Sequence, residues 1–248
     1  MPERCLLYYI TDRTAFAPDE PTRRRRLLEK IAEAARAGVD YIQLRERDLL
    51  ARELELLARE VVHAVREAQS LTTSILINSR IDVAIAVGAE GVHLRSDDIA
   101  PQEVRAIWKK SHVGAAALGK NGHVGTAAPG CPVTQSAAKT VEQSPPVPLV
   151  GVSCHSPFDV KQAEANRATF ALFGPVFEKK DAPTMHPAGL ALLREACHAK
   201  TPVLAIGGVT LKNAKQCLDA GAAGIAAIRL FQENNIAEIV RALHHVSQ

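Results

Sequence analysis

Short apolar runs alternate with longer amphipathic stretches along the chain, and the alternation repeats eight times. The short runs are apolar on both faces, as buried parallel strands require, and the longer stretches repeat apolar residues at the helical spacing. The predicted strands are Leu6–Thr11, Tyr41–Arg45, Ser74–Asn78, Gly91–Leu94, Pro148–Val152, Thr169–Phe173, Val203–Ile206 and Gly224–Ile228. The predicted helices are Arg24–Ala37, Ala51–Gln69, Arg80–Val87, Pro101–Lys109, Pro157–Asn166, Pro187–Ala199, Leu211–Ala220 and Ile236–Val246.

Strict alternation of strand and helix over 248 residues predicts an α/β fold, a closed (β/α)8 TIM barrel that forms a single domain. A doubly wound open sheet is the alternative. It is disfavoured because no Gly-x-Gly-x-x-Gly follows the first strand, where a dinucleotide-binding sheet would carry it. In a barrel the catalytic groups lie just past the carboxyl ends of the strands, so those positions are the candidates.

One segment departs from the alternation. Ser111 to Val147 is rich in Gly, Ala, Ser, Pro and Thr, and it shows no sustained period. It is also longer than ordinary connections between a helix and a strand. We predict a flexible, low-complexity insertion between the fourth helix and the fifth strand, at the end of the barrel away from the chemistry.

Composition narrows the class of protein. Hydrophobic residues make up 47% and charged residues 23%, the proportions of a globular protein. The 30 Lys and Arg nearly balance the 27 Asp and Glu, and no basic run is interleaved with aromatic residues, so no nucleic-acid partner is expected. The apolar runs are too short to cross a bilayer, and the five cysteines have no metal-binding spacing. We expect a cytoplasmic protein with free thiols and no membrane partner, and a homo-oligomer is compatible with the sequence.

The first candidate binding residues follow the second predicted strand. Gln43, Arg45 and Arg47 alternate along an extended segment and therefore point to one side. Two guanidinium groups that face the same way repel each other unless an anion lies between them. The alternative is that Glu46 and Asp48 neutralise them in surface salt bridges.

The third and fourth predicted strands are mostly apolar, and polar residues occur directly at or after their ends. Asn78 offers an amide that could orient an anion or the edge of a ring. Asp97 and Asp98 offer hard oxygen ligands for Mg²⁺, although either one could instead cap the following helix.

The fifth strand ends in Ser153 and His155, which face the same side of an extended segment. They are too far apart for proton transfer from serine to histidine, so a hydrolase triad is not expected. His155 could equally cap a helix or pack.

Paired glycines, Gly207 and Gly208, follow the seventh strand, and Arg229 lies at the end of the eighth. Loops in these positions commonly bind a phosphate in barrels. The alternative is a tight turn that needs positive φ angles.

Seven motifs in order at these strand ends resemble thiamine phosphate synthase and its thiazole tautomerase relatives. They cover nearly the whole chain apart from the insertion. The motifs are Tyr9-Ile10-Thr11-Asp12, Gln43-Leu44-Arg45-Glu46-Arg47, Ile77-Asn78-Ser79-Arg80, Gly91-Val92-His93-Leu94, Gly151-Val152-Ser153-Cys154-His155-Ser156, Gly174-Pro175-Val176-Phe177 and Ala205-Ile206-Gly207-Gly208-Val209.

The resemblance implies a transferase that joins hydroxymethylpyrimidine diphosphate to a thiazole phosphate, with Mg²⁺ as cofactor and pyrophosphate as the second product. It also implies roles for particular side chains. The catalytic candidates are Arg45, Arg47, Ser153 and His155, and the metal ligand is Asp98. The substrate-binding candidates are Gln43, Arg45, Arg47 and Asn78 for the pyrimidine diphosphate, Ser153 near the reacting centre, Lys179 and Lys180 after the sixth strand, and Gly208, Ile228 and Arg229 for the thiazole phosphate.

The sequence departs from the synthase pattern at four places. Ser79 stands where the family usually has a second magnesium-binding Asp, and Arg47 stands where Lys is usual. Glu178-Lys179-Lys180-Asp181 replaces the usual Thr-x-Thr-Lys, and Arg229 replaces a Ser.

Two other functions stay open at this point. A thiazole tautomerase would need an acid/base group, for which His155 is the candidate, but no Mg²⁺. A non-catalytic protein could bind thiazole phosphate or thiamine phosphate. Arg45, Arg47 and Asp98 favour the synthase, because a tautomerase has no diphosphate to bind.

Overall fold

Eight parallel strands form a closed barrel in chain order in a computed structural model that describes residues 4–70, 72–118, 147–178 and 186–246. The first strand pairs with both the second and the eighth, which closes the ring. The prediction of a (β/α)8 barrel is confirmed. The strands are β1 (Leu6–Ile10), β2 (Tyr41–Leu44), β3 (Ser74–Asn78), β4 (Gly91–Leu94), β5 (Leu149–Cys154), β6 (Phe170–Phe173), β7 (Val203–Ile206) and β8 (Gly224–Ala227).

Helices follow the strands on the outside of the ring. They are α1 (Glu20–Ala37), α2 (Ala51–Glu67), α3 (Ile81–Val87), α4 (Pro101–Leu118), α5 (Pro157–Ala165), α6 (Gly189–Ala196), α7 (Ala214–Asp219), α8 (Arg229–Gln232) and α9 (Ile236–Val246). A 3-10 turn, Arg13–Ala15, and the one-turn helix α8 were not predicted, because a single turn is too short to show a period.

Two predicted helix boundaries were wrong by four residues or more. Helix α1 begins at Glu20 rather than Arg24, because Asp19 accepts a hydrogen bond from the Thr22 backbone N–H (2.9 Å) and caps the helix there. Helix α4 continues to Leu118, so residues 111–118 of the predicted insertion are helical. The rest of the predicted insertion, residues 119–146, lies outside the described residues.

The core has two layers because successive strand residues point to opposite faces of the ring. One cluster fills the barrel interior and the other packs between the strands and the helices. Tyr8 belongs to the interior cluster, whereas its neighbour Tyr9 packs outside, near Phe231. Beside the interior cluster the inward positions become polar, with Gln43, His93 and Ser153 on β2, β4 and β5.

The cysteines and the helix lengths also bear on the predictions. Cys5, Cys154, Cys197 and Cys217 are free thiols, as predicted, and Cys131 lies outside the described residues. Within the described ranges, no helix is both long enough and apolar enough to cross a membrane.

Candidate active site

The two arginines that follow β2 have no carboxylate partner among the described residues. Arg45 is half-buried and Arg47 is exposed. The predicted alternative, in which Glu46 and Asp48 neutralise them, is wrong. Both carboxylates pair instead with the buried Arg13, at 3.3 and 2.6 Å from its Nη1.

The electrostatic environment at Arg45 is therefore cationic. Burial and the neighbouring charge of Arg47 lower the pKa of Arg45 below its ordinary value. The carboxylates of Asp12 and Glu46 oppose this shift without reversing it. An anion at this end of the barrel would relieve both the desolvation and the repulsion.

A hydrogen-bonded row connects β2 to the loop after β4. Gln43 is buried, and its Nε2 donates to Asn78 Oδ1 (2.8 Å). Asn78 Nδ2 donates to Ser79 Oγ (3.2 Å), and Ser79 Oγ donates to Asp98 Oδ2 (2.6 Å). The structure thus brings together the substrate and metal candidates Gln43, Asn78 and Asp98, with Ser79 between the last two.

Asp98 does not cap helix α4. Its Oδ2 accepts a second hydrogen bond from the Arg95 backbone N–H (2.7 Å) and so stays within its own loop. At the start of α4, Glu103 accepts from the Ala100 backbone N–H (2.8 Å). Asp97 is paired with Arg95. The capping alternative is therefore wrong for Asp98, whose carboxylate remains beside Ser79.

The donor set for a metal ion is small. In the described ranges, no three His, Cys, Asp or Glu side chains come together in a metal-binding group. Asp98 and Ser79 supply one carboxylate and one hydroxyl, which are hard oxygen ligands. This set fits Mg²⁺, which is often bound through one or two carboxylates plus the phosphates of a substrate.

His93 is a site residue that sequence reasoning missed. Its Nε2 lies 2.9 Å from Ser153 Oγ and its Nδ1 lies 3.0 Å from Tyr8 Oη. Burial, helped by the charge of Arg45, lowers the pKa of His93 to about 3, so the ring is neutral. The available signal was a histidine within an otherwise apolar strand.

His155 lies apart from this group. It is exposed, its Nδ1 is 2.7 Å from the carbonyl oxygen of Gly174, and its backbone N–H donates to Asp159 (2.8 Å). The hydrogen-bond partner of Ser153 is therefore His93 and not His155, in agreement with the expectation that Ser153 and His155 are too far apart for proton transfer.

The glycine pair after β7 adopts the left-handed conformation, with φ of 92° at Gly207 and 67° at Gly208. A Cβ on Gly208 would lie 2.5 Å from the carbonyl oxygen of Glu178 and 2.7 Å from Phe177 Cβ. The tight-turn interpretation is confirmed, and a phosphate-binding role stays a prediction. Helix α8 begins directly after β8, at the exposed Arg229, with Ile228 as its N-cap. Lys179 and Lys180 lie outside the described residues.

Asp98 and Ser153 share one cleft. It has a volume of about 260 Å³ and is bounded by the loop after β4, by β5 and by α5. Arg95, Asp159 and Asn166 add polar groups to its wall. The metal candidate and the candidate for the reacting centre therefore both line this cleft.

The chain is similar to known proteins over most of its length. A family model described as thiamine monophosphate synthase matches residues 7–132 and 121–231. A thiamine-phosphate synthase of Roseiflexus castenholzii is 31% identical over 227 residues, which cover 91% of this chain and 80% of the relative. One of Halalkalibacterium halodurans is 32% identical over 228 residues, covering 90% and 85%. The structure of a thiamine phosphate pyrophosphorylase from Pyrococcus furiosus superposes with a TM-score of 0.68 at 25% identity, covering 98% of this chain and 95% of that one. This chain belongs to the thiamine monophosphate synthase family.

Proposed function

We propose that this protein is a thiamine phosphate synthase, a transferase that joins 4-amino-2-methyl-5-hydroxymethylpyrimidine diphosphate to a thiazole phosphate. The thiazole nitrogen forms a bond to the methylene carbon of the pyrimidine. The bond from that carbon to the diphosphate oxygen breaks, and pyrophosphate leaves with the bonding electron pair. The observation that carries the proposal is the pair Arg45 and Arg47, which follow the carboxyl end of β2 without a carboxylate partner in the described part of the chain.

The reaction needs charge stabilisation more than a strong base, because the thiazole nitrogen already has a lone pair. Arg45 and Arg47 stabilise the diphosphate as negative charge develops on it. Gln43 and Asn78, which are hydrogen-bonded to each other (2.8 Å), orient the pyrimidine diphosphate. Alignment of the two substrates at one barrel mouth supplies the rest of the acceleration.

Asp98 and Ser79 are the residues that would bind Mg²⁺. When bound, the ion neutralises charge on the diphosphate. Gly208, Ile228 and Arg229 are the candidates for the thiazole phosphate, since Gly208 and the start of α8 lie at the carboxyl ends of adjacent strands.

The direct test is an assay of the purified protein with both phosphorylated precursors, with and without Mg²⁺, scored for thiamine phosphate and pyrophosphate. We expect both products in equal amounts, dependent on Mg²⁺. An absence of thiamine phosphate at saturating precursors and Mg²⁺ contradicts the proposal.

A thiazole tautomerase is the second candidate, and one observation favours it. The Gly174 carbonyl fixes Nδ1 of His155 as a donor and leaves Nε2 able to accept a proton. This reading predicts isomerisation of a thiazole carboxylate phosphate in the presence of EDTA and its loss in His155→Ala.

A further inference from the structure

The row of hydrogen bonds that ends at Asp98 extends much further into the barrel than the metal candidate itself requires. Tyr8 Oη donates to Gln43 Oε1 (3.4 Å) and lies 3.0 Å from His93 Nδ1. His93 Nε2 lies 2.9 Å from Ser153 Oγ. The complete chain of hydrogen bonds, which we call the interior chain, runs through Ser153, His93, Tyr8, Gln43, Asn78, Ser79 and Asp98.

Asp98, at one end of the interior chain, determines which group donates and which accepts in each of its hydrogen bonds. Asp98 Oδ2 accepts the proton of the Ser79 hydroxyl, so Ser79 Oγ offers only lone pairs to Asn78. Asn78 must then present its NH₂ group to Ser79 and its Oδ1 to Gln43. Gln43 in turn presents its NH₂ group to Asn78.

The same reasoning continues to the other end. Gln43 Oε1 is left as the acceptor for Tyr8, whose only proton is used there. Tyr8 can therefore only accept from His93, so the neutral imidazole carries its proton on Nδ1. Nε2 of His93 is then an acceptor, and the hydroxyl of Ser153 must donate to it. The other tautomer would leave the buried Gln43 Oε1 without its donor.

The packing around His93 restricts the position of the ring. A Cβ on Gly151, the residue paired with His93 across β4 and β5, would lie 2.8 Å from His93 Nδ1 and 2.4 Å from the ring of Phe170. Tyr8 contacts the imidazole edge-on, with ring centroids 5.8 Å apart. The imidazole is confined between these neighbours and cannot turn away from Ser153.

We infer that His93 is a positioning residue. It accepts a hydrogen bond from the Ser153 hydroxyl, and the Ser153 oxygen can then act only as a hydrogen-bond acceptor toward the reacting centre. Asp98 sets the direction of the hydrogen bonds, and Tyr8 and Gln43 carry that direction along the interior chain to His93. The inference rests on the proposed function, in which Ser153 lies near the reacting centre. The chemistry that such an acceptor recognises is an N–H donor on a substrate, such as the amino group of an aminopyrimidine.

The state of His93 can be measured without any activity. In protein labelled with ¹⁵N at histidine, we expect the Nδ1 of His93 to show the shift of a protonated nitrogen and Nε2 that of an unprotonated one. A proton on Nε2 would overturn the inference. This readout uses no substrate, so its failure is distinct from a failure of the proposed function.

A double-mutant cycle tests whether His93 acts through Ser153. The amide of glutamine can reach the position of Nε2, and the shorter asparagine can reach only that of Nδ1. We expect His93→Asn to lower kcat about tenfold, the factor that one hydrogen bond of ordinary strength carries, and His93→Gln to retain most of kcat. In a Ser153→Ala background the two variants should have equal kcat. An unchanged difference between them in that background would mean that His93 does not act through Ser153.

Tyr8→Phe removes one hydroxyl from the interior chain and keeps the aromatic ring. Tyr41→Phe is the matched control, because Tyr41 packs on the same Phe170 ring (centroids 4.9 Å apart) but does not belong to the interior chain. We expect a lower kcat only for Tyr8→Phe. Equal kcat in the two variants would contradict the role of Tyr8.

Discussion

The guanidinium of Arg13 lies 3.3 Å from the carboxylate of Glu46, and both side chains are buried. Arg13 follows β1, and Glu46 follows β2 between the two arginines of the candidate diphosphate site. The Thr11 hydroxyl joins the same contact by donating to Glu46 (2.5 Å) and accepting from the Arg45 backbone N–H (3.1 Å). The end of β1 thus fixes the end of β2 and occupies the carboxylate that would otherwise neutralise Arg45.

Glu46→Ala should destabilise the protein by about 3 kcal/mol, because the buried Thr11 hydroxyl and the Arg13 backbone N–H both lose their acceptor. Asp48 and Glu20 still contact Arg13, so the protein should remain folded. Chemical denaturation measures the loss. Glu29→Ala, which removes an exposed partner of Arg25, is the control and should change stability by less than about 1 kcal/mol. Equal losses in the two variants would show that the Arg13–Glu46 pair is not specially important.

Arg45→Ala should remove about 2–5 kcal/mol of transition-state stabilisation, as expected for a desolvated charge contact. The measurement is kcat/KM for the pyrimidine diphosphate. Arg59→Ala, at an exposed pair with Glu55 on α2, is the control and should leave kcat/KM unchanged. Unaltered turnover in Arg45→Ala would exclude this residue from the diphosphate site.

Ser79→Asp should tighten Mg²⁺ binding. Ser79 Oγ lies 2.6 Å from Asp98 Oδ2, so the variant would place two carboxylates side by side, which favours a divalent cation between them. The backbone favours the change as well, because Ser79 has a φ of 56°, a conformation that Asp tolerates better than most residues. Calorimetric titration with Mg²⁺ measures the affinity, and Ser79→Asn is the uncharged control.

The wild type should bind Mg²⁺ weakly without substrate and need more of it for half-maximal rate than Ser79→Asp does. Asp98→Asn should nearly abolish the Mg²⁺-dependent reaction. Full wild-type activity in EDTA, together with loss of activity in His155→Ala, would replace the synthase proposal with the tautomerase.

His93 should make stability depend on pH in a defined window. Its pKa is lowered from 6.5 to about 3 in the folded protein, so the unfolded chain takes up the proton first as the pH falls. The stabilisation from the neutral ring is complete above pH 6.5 and is lost as the pH falls toward 3, with a slope of at most about 1.4 kcal/mol per pH unit. We expect the free energy of unfolding of the wild type to fall more steeply in this window than that of His93→Gln. Parallel curves would show that His93 does not titrate this way.

Replacement of residues 119–146 by a short Gly/Ser linker should preserve the barrel and its activity. Helix α4 ends and β5 begins at the end of the barrel opposite the candidate site, so the replacement leaves the residues of that site untouched. Thermal unfolding and the synthase assay measure the outcome. A large loss of soluble folded protein would show that the segment contributes to the barrel.

The barrel could be predicted from the sequence because each strand and helix carries its own apolar period. The start of α1 was misplaced because its first turn, with Pro21 and Thr22, is polar and is defined by the Asp19 cap. The positions of Gln43, Asn78 and Asp98 could also be predicted, since strand ends meet at one edge of a barrel. The pairing of Glu46 with Arg13 could not be predicted, because the two residues are far apart in sequence. It also depends on whether Glu46 or Asp48 has the buried carboxylate, which the sequence does not show.

Each inner member of the interior chain has to donate one hydrogen bond and accept another. Amides, hydroxyls and a neutral imidazole can do both, whereas an ionised carboxylate can only accept. Gln43→Glu or Asn78→Asp, though nearly isosteric, would place a second acceptor-only group in the chain and reverse the bonds on one side of it. Exchange of the amide for an acid at Gln43 or Asn78 is therefore a severe change. Only side chains that can both donate and accept, such as amides and hydroxyls, preserve the direction of the interior chain.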